Sequence, residues 1–373
     1  MDKHLHIVTH EVPWPVDYGG VVDLFYKIKS LSQSGIKIHL HCYTHNREEQ
    51  PILNRFCVSV DYYPRKDKWA SLSTTLPYIV ASRSDENLLN RLKQEVHPNF
   101  LDGIHCTYFL YKGLLKGRRV FVRPHNIEAR YYKRLANWET NLLKKMYFHT
   151  ESILLNQYEK KLARMATFWP VSLADTAFYH KQLDCTKVDF LPVFVPWDEV
   201  KTLPGKGSFC LYHGNLEVNE NARAAEWLLN NVFNTLEIPF VIAGNNPSLP
   251  LQSLAHRHQH TCIVVNPSEH EMQDLIRKAQ INIIPSFNNT GVKLKLINAL
   301  FNGRHCLINE EAGKGSGVEQ LCHVVKDAKG FQNAIGVLFK TAISEQDIIK
   351  RQDALLDIYN NQKNAAQLTT WIY

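Results

Sequence analysis

The chain alternates short apolar segments with longer amphipathic ones, and this alternation limits its fold more than any other feature. LHIVTHE (5–11) and IKIHLHCY (36–43) are typical of strands, while VVDLFYKIKSLSQSG (21–35) has apolar residues at helical spacing. A strand, a helix and a second strand joined in this order form a right-handed βαβ unit with parallel strands. The first part of the chain is therefore predicted to be a parallel sheet covered by helices.

A second unit of this kind lies around residue 300. QINIIPS (280–286) and RHCLIN (304–309) are short apolar runs typical of buried strands. The segment between them, NNTGVKLKLINALFNG (288–303), must then be the crossover helix, although VKLKL alone alternates like a strand. We expect this helix to open near Gly291 and to end at Gly303 in the left-handed conformation.

Two lysines follow the expected start of that helix. Lys293 and Lys295 would lie in its first turn, where the free amide groups and the positive end of the dipole already attract an anion. Because cations are unfavourable at this end, the pair predicts a bound anion such as a phosphate. The alternative is two solvated lysines on an exposed helix start.

A length of 373 residues and a segment rich in proline, 188–208, suggest two domains. We predict an N-terminal domain of residues 1–195 and a C-terminal domain of residues 196–354, each a doubly wound α/β fold. GIHCTY (103–108) and RRVFVRP (118–124) are further expected strands of the first domain. Such sheets bind ligands at the carboxyl ends of their strands, so the cleft between two facing domains is the predicted site.

Composition narrows the location and the partners. No apolar run approaches the ~20 residues of a membrane span, no signal peptide is evident, and eight scattered cysteines fit reduced thiols in the cytoplasm. The net charge is +7, and residues 101–150 alone hold 10 basic and 3 acidic residues. This stretch could meet nucleic acid, anionic lipid or a phosphorylated substrate, or be a solvated face.

Eighteen histidines raise the question of a metal site. The HLH motifs at 4–6 and 39–41 lie in predicted strands, so each pair would share one face of a sheet. Neither pair has an evident third ligand, and HRHQH at 256–260 is expected to be exposed. We therefore predict no metal site.

Several loops follow predicted strands where a ligand would bind. DYGG (17–20), HGN (213–215) and AGNNP (243–247) each contain glycine, which lets the backbone approach a ligand closely. RPHN places His125 at the end of another strand, where a histidine can carry a proton or donate a hydrogen bond. The alternatives are ordinary turns and a structural histidine that caps its turn.

Four segments in this order resemble the group 1 retaining glycosyltransferases of the GT-B fold: FVRPHNIEARYYKRL, LYHGNLEVNENARAAEW, FVIAGNNP and TGVKLKLINALFNGRHCLI. The similarity spans nearly the whole chain. It implies two Rossmann-like domains that face each other across a cleft, with the acceptor on the N-terminal domain and a nucleotide-diphospho-sugar on the C-terminal one. It also implies a C-terminal helix, about residues 355–373, that packs back on the N-terminal domain.

The resemblance implies roles for individual residues. His125 would contact the transferred sugar near its anomeric carbon, and Lys295 with Lys293 would neutralise the diphosphate leaving group where other enzymes use a metal ion. The loop at Asn266 is the expected contact of the base. The expected donor-binding residues are Gly19, Gly20, Gly214, Asn215, Gly244, Asn266, Thr290, Gly291, Lys293 and Asn298.

Thr290 and Asn298 depart from the family's pattern, which has two glutamates at these positions, eight residues apart. We expect a metal-independent retaining transferase without a cofactor, which moves a sugar from a UDP- or GDP-linked donor to a polysaccharide or lipid-linked acceptor. It would be cytoplasmic, peripheral on the inner face of the cell membrane, and would not bind nucleic acid. The alternatives are a non-catalytic GT-B protein that binds nucleotide or a partner transferase, and a GT-B epimerase, for which no convincing pair of carboxylates is evident.

Overall fold

The computed structural model describes residues 2–45, 47–67, 71, 73–288 and 290–373 of the chain. These residues form two compact units, Met1–Pro196 together with Tyr359–Tyr373, and Trp197–Ile358. Each unit contains one sheet of six parallel strands with helices packed against it. The prediction of two doubly wound parallel sheets is therefore confirmed.

The sheet of the first unit is built from strands β1 to β6 in the order β3-β2-β1-β4-β5-β6. The chain starts in the middle, moves to one edge and then returns to build the other half, which is the strand order of dinucleotide-binding folds. Apolar cores on both faces of the sheet bury its central strands. The strands are β1 (His4–Thr9), β2 (Lys37–Thr44), β3 (Ser59–Pro64), β4 (Asn99–Asp102), β5 (Val120–Arg123) and β6 (Thr167–Phe168).

The helices of the first unit include one from the far end of the chain. This last helix packs on the first, burying Ala365, Leu368 and Ile372 in the same core as Leu24 and Ile28. The helices are α1 (Gly19–Gln33), α2 (Tyr78–Ala81), α3 (Glu86–Gln94), α4 (Tyr108–Tyr111), α5 (Glu128–Trp138), α6 (Leu142–Leu162), α7 (Leu173–Gln182) and, from the end of the chain, α15 (Asn361–Ile372).

The second unit repeats the same design. Its strands follow the order β12-β11-β10-β7-β8-β9, so again the first strand lies in the middle. The strands are β7 (Cys210–His213), β8 (Phe240–Gly244), β9 (Thr261–Val265), β10 (Ile281–Ile284), β11 (His305–Asn309) and β12 (His323–Val325). The helices are α8 (Asn219–Asn231), α9 (Leu249–His256), α10 (Glu269–Lys278), α11 (Leu294–Asn302), α12 (Glu310–Gly313), α13 (Ala328–Leu338) and α14 (Glu345–Ile358).

Among the residues just described, no helix combines the length and the apolar character that crossing a bilayer requires.

Two local predictions are wrong. The strand expected over GIHCTY is instead β4, which lies just before it and ends at Asp102, because Gly103 turns the chain with a φ of 92°. Gly303 does end α11, but its backbone is extended (φ −97°, ψ 169°) rather than left-handed. A side chain there would collide with the Asn282 amide nitrogen and lie 2.9 Å from the Ala299 carbonyl oxygen. Glycine is required at 303 by crowding and not by its backbone conformation.

We predict that Gly303→Ala lowers the free energy of unfolding of the second unit by about 1–3 kcal/mol, because the added carbon overpacks the turn. Urea unfolding measures this change. The matched control is Gly336→Ala within α13, where the added carbon meets nothing within 4 Å. That variant should gain up to about 1 kcal/mol from helix propensity. Gly303→Asn should cost at least as much as Gly303→Ala, whereas a left-handed residue would tolerate Asn better.

Candidate functional site

At the carboxyl ends of β4 and β5, a histidine and a carboxylate of the first unit are paired. His125, two residues beyond β5, is hydrogen bonded through its Nε2 atom to Oδ1 of Asp102, the last residue of β4. The His125 side chain is 15% exposed and Asp102 is fully buried. A buried carboxylate fixes the orientation of the imidazole and favours its Nε2–H tautomer, so Nδ1 is the nitrogen that can exchange a proton with a ligand.

Asp102 belongs to a buried network of four charged side chains. Lys27 of α1 donates to Asp102 and also to Asp23, with 3.1 Å between Nζ and Oδ2 of Asp23. Arg123 donates to both carboxylate oxygens of Asp23, at 3.0 and 2.9 Å. Burial opposes the charged form of Asp102, but Lys27 and His125 outweigh it and hold the pKa of Asp102 well below its usual range. The charges of the network balance, which makes their burial tolerable.

Two further histidines surround Gly103. The rings of His10 and His105 stack with centroids 4.9 Å apart, and the centroids of His10 and His125 are 5.8 Å apart with the rings at 66° to each other. A side chain on Gly103 would lie 3.1 Å from Nδ1 of His105, so glycine is needed to make room for the rings. Burial keeps the pKa of His105 well below its ordinary value, so this imidazole is neutral at pH 7.

His10, Asp102 and His125 bring possible metal-ligating atoms within 4.8 Å of one another. However, both oxygens of Asp102 are already engaged, by His125 and by the ammonium group of Lys27. A cation here would compete with Lys27 and be repelled by it. The group therefore fits a metal ion poorly, and a proton-transfer or hydrogen-bonding role fits it better.

Gly19 and Gly20 form the first turn of α1. Tyr18 occupies the N-cap position of this helix, but its side chain makes no hydrogen bond to the amides of the first turn. Arg47 lies over the Tyr18 ring, 5.4 Å from its centroid, and donates to the Asp17 carboxylate. A helix start without a side-chain cap attracts an anion.

In the second unit, Lys295 is held at the start of α11. Its Nζ atom donates to Oδ1 of Asn221 at 3.0 Å and to the hydroxyl of Tyr212 at 3.4 Å, above the ring of that tyrosine. Burial lowers the pKa of Lys295 to about 8, with Glu220 opposing this shift and Lys293 adding to it. The ammonium group is therefore still mainly charged at pH 7, and a bound anion would raise its pKa.

The loop before α11 differs in two respects from the expectation. The helix starts at Leu294, so the predicted start near Gly291 is wrong. Lys293 is the N-cap residue and precedes the first turn, so only Lys295 of the two lysines lies in that turn. Gly291 takes up a φ of 64°, a left-handed conformation that glycine permits and that an α-helix does not contain. Lys293 donates from Nζ to the carbonyl of Thr290 at 2.8 Å.

Thr290 and Asn298, which replace the family's two glutamates, each make a hydrogen bond within the chain. The buried Thr290 hydroxyl donates to Oδ1 of Asn288 at 2.9 Å. Oδ1 of Asn298 accepts a hydrogen bond from Asn302 at 2.8 Å. A neighbouring carboxylate is nevertheless present, because Glu220 lies close enough to Lys295 to influence its pKa.

The remaining predicted residues lie at the ends of β7, β8 and β9. A side chain on Gly244 would collide with the carbonyl of Gly214, so glycine lets these two loops touch. The Asn215 side chain accepts a hydrogen bond from the amide of Glu217 at 3.1 Å. The Asn266 side chain accepts one from the amide of Asn246 at 2.7 Å. The Gly214–Gly244 and Asn246–Asn266 contacts connect the loops that follow the carboxyl ends of these three strands.

Sequence reasoning missed several residues of both groups. Asp102 precedes a glycine at the end of a strand, and this position could have marked it as a candidate. Lys27 and Asp23 were concealed because they belong to an ordinary amphipathic helix. In the second unit Tyr212 and Asn221, which hold Lys295, lie in the quoted LYHGNLEVNENARAAEW segment but were not singled out.

Comparison with known proteins supplies the fold family. No protein-family model matches the chain. A curated relative, an uncharacterized 44.6 kDa protein in the cps region of Klebsiella pneumoniae, is 26% identical over 336 residues, covering 83% of this chain and 84% of that protein.

Solved structures resemble the chain over nearly its whole length. HepE of Anabaena in complex with UDP-glucose has a TM-score of 0.67 at 9% identity, and the match covers 99% of both chains. TarM of S. aureus, in a complex that includes UDP, has a TM-score of 0.64 at 8% identity and covers 99% of both. A glycosyltransferase of Rickettsia africae has a TM-score of 0.66 at 11% identity, covering 100% of this chain and 98% of that one. The chain therefore has the GT-B fold of glycosyltransferases.

Proposed function

We propose that the protein is a retaining glycosyltransferase that transfers a sugar from a nucleotide-diphospho-sugar, UDP- or GDP-linked, to a polysaccharide or lipid-linked acceptor. The observation that carries the proposal is the pair of lysines at the start of α11, with the buried ammonium group of Lys295 oriented by Asn221 and Tyr212. The GT-B fold and the UDP or UDP-glucose bound by similar structures support the same donor class.

Lys295 serves the leaving group in this proposal. Negative charge grows on the departing diphosphate as the glycosidic bond breaks, and a preoriented cation stabilises that charge most where water is excluded. Lys293 and the amides at the start of α11 add to the same field. With these groups in place, the reaction needs neither a divalent metal nor a cofactor.

The other residues proposed to contact the nucleotide sugar follow the carboxyl ends of strands in each unit. Gly214, Asn215 and Gly244 would approach the nucleotide with their backbone, and the loop at Asn266 would contact the base. Thr290, Gly291 and Asn298 would line the sugar and ribose. The amides of Gly19 and Gly20 would bind phosphate oxygen at the uncapped start of α1.

His125 is proposed to contact the transferred sugar, with Asp102 as its positioning residue. Because Asp102 holds Nε2, the Nδ1 atom of His125 would exchange a hydrogen bond with a sugar hydroxyl. The acceptor would bind to the first unit. The basic stretch 101–150 suits an anionic acceptor or the inner face of the cell membrane, where we propose that this cytoplasmic protein is peripherally bound.

One observation favours a second candidate, a non-catalytic GT-B protein that binds nucleotide or a partner transferase. Thr290 and Asn298 provide no carboxylate, and both side chains are hydrogen bonded to neighbours in the chain. Sugar transfer by the purified protein from a nucleotide sugar would exclude this candidate.

We predict that Lys295→Ala weakens binding of the cognate nucleoside diphosphate 10- to 100-fold, or about 1.4–2.7 kcal/mol, because a charged partner of the phosphates is lost. Binding of the nucleoside without phosphate should change less than about 3-fold. Titration calorimetry measures both affinities, and turnover should fall by orders of magnitude.

The matched control is Lys278→Ala, an exposed lysine of the same unit that is paired with Asp274. This variant should bind the diphosphate like the natural protein. Lys295 would not belong to the phosphate site if Lys295→Ala bound the diphosphate as tightly as the natural protein does. The same would follow if the variant lost as much affinity for the nucleoside as for the diphosphate.

A further prediction concerns Asp102. At pH 7, Asp102→Asn should lower the free energy of unfolding of the first unit by about 3 kcal/mol, because Lys27 and His125 lose a buried charged partner. The pKa of Asp102 is lowered on folding, so its contribution is complete above the ordinary carboxylate range and is lost as the pH falls. The difference between the two proteins should therefore shrink below about pH 4.

Urea unfolding at a series of pH values checks this prediction. The control is the exposed Asp189→Asn, which should stay within about 0.5 kcal/mol of the natural protein. A difference for Asp102→Asn that is small at pH 7, or that grows on acidification, would contradict the assigned charge state of the network.

A further inference from the structure

A second cluster of histidines lies at the amino ends of the strands of the first sheet, opposite the carboxyl ends where His125 lies. His4 is the first residue of β1, His39 is near the start of β2, and His97 lies two residues before β4. His6 is the direct neighbour of His39 across the β1–β2 ladder. Alternate residues of a strand point to one face, so His4 and His6 share the face on which the cluster forms.

The nitrogens of this cluster are close enough to bind one ion. Nδ1 of His4 lies 3.0 Å from Nε2 of His39, and the His97 ring centroid is 4.7 Å from that of His4 and 5.4 Å from that of His39. Each of the three offers a nitrogen within 4.8 Å of the others. The expectation that the paired histidines have no third ligand is therefore wrong, because the fold brings His97 to them.

A carboxylate lies beside the group, on the Nδ1 side of His39. Oε2 of Glu95 lies 3.6 Å from Nε2 of His97, 3.8 Å from Nδ1 of His39 and 3.9 Å from Nε2 of His6. Both this oxygen and Nε2 of His6 are buried without a hydrogen-bond partner. An unsatisfied buried carboxylate oxygen is costly, and a cation bound by the histidines would offset its charge.

The charge state of the cluster suits a metal ion. Burial, with repulsion from His39 and His97, lowers the pKa of His6 to about 3, and burial also lowers the pKa values of His39 and His97. These imidazoles are thus neutral near pH 7, the form that binds metals. Arg91 lies 3.7 Å from Oε1 of Glu95. Arg118 donates a hydrogen bond of 2.9 Å to the backbone carbonyl of Glu95. Oε2 of Glu95 is left to the histidines.

We propose that His4, His39 and His97 bind one divalent transition-metal ion of the zinc class, with Glu95 beside the site as a counter-charge and not as a ligand. A tetrahedral zinc ion at about 2.0–2.1 Å from its ligands separates them by about 3.3 Å, so the three nitrogens, which lie within 4.8 Å of one another, would draw closer around it. His4 would exchange its hydrogen bond to Nε2 of His39 for the ion. Three protein ligands leave the fourth position to water, and the ion fastens the segment before β4 to β1 and β2. In the first unit this site lies at the opposite end of the strands from His125.

The test is titration of the full chain, without a histidine tag, with Zn²⁺ in the presence of a chromogenic chelator. We expect one Zn²⁺ ion per chain and at least a 10-fold loss of affinity in both His97→Ala and His97→Gln. The control replaces His256 and His260, both exposed, with Ala, and should bind Zn²⁺ unchanged. Fewer than one Zn²⁺ ion bound per chain, or full Zn²⁺ affinity in the His97 variants, would overturn the site. Loss of Zn²⁺ binding in His125→Ala, which keeps His97, would also overturn it.

Cobalt gives a readout that does not depend on how well a variant folds. Co²⁺ bound to the natural protein should show the intense visible absorption of tetrahedral coordination, and one equivalent of Zn²⁺ should displace it. Weak octahedral bands alone would contradict a tetrahedral site at the three histidines.

Discussion

The buried group formed by Asp23, Lys27, Asp102 and Arg123 is the interaction on which most of the first unit depends. Arg123 extends it to the backbone, donating to the carbonyls of Leu191 at 2.7 Å and Trp169 at 3.2 Å. Asp23 accepts a hydrogen bond from the amide of Phe194 at 2.8 Å. The network therefore fixes α1, β4 and β5 relative to the last residues before Pro196. Removing one charge would leave its partners buried and unpaired, a far larger loss than that of a surface ion pair.

The same network orients His125, which lies at the surface of the unit beside it. Asp102 is held ionised by Lys27 from within the unit and hydrogen bonds His125 on its outer side. In the second unit the oriented cation is Lys295, which is hydrogen bonded to the neutral side chains of Tyr212 and Asn221. Both groups lie at the carboxyl ends of parallel strands, where doubly wound sheets bind ligands beside the point at which the strand order reverses.

The fold could be predicted from the sequence because its signals are local. Short apolar runs separated by amphipathic segments predict βαβ units, and two parallel doubly wound sheets follow. Lys295 was also accessible to local reasoning, since the flanking strands make its segment a helix. Gly303 shows where this reasoning fails. Its role comes from the packed side chain of Asn282, which no helix-ending pattern reveals.

The partners of the candidate groups could not be predicted because they are distant in sequence. Lys27 and Asp102 are 75 residues apart, and Lys295 and Asn221 are 74 apart. Each pair meets only after the strand order is known, and sequence reasoning did not assign register. His97 is the clearest case, because it lies outside both HLH motifs and reaches them through the pairing of β4 with β1.

The proposed function requires first of all that the chain binds a nucleotide-diphospho-sugar. Thermal unfolding in the presence of UDP, GDP, ADP, CMP and their common sugar conjugates measures this binding. A ligand at about 100 times its dissociation constant adds about 2.7 kcal/mol to the folded state, which a melt detects. We predict stabilisation by one nucleotide family, UDP or GDP, and by its sugar conjugates. A folded sample whose melting temperature responds to none of them would contradict it.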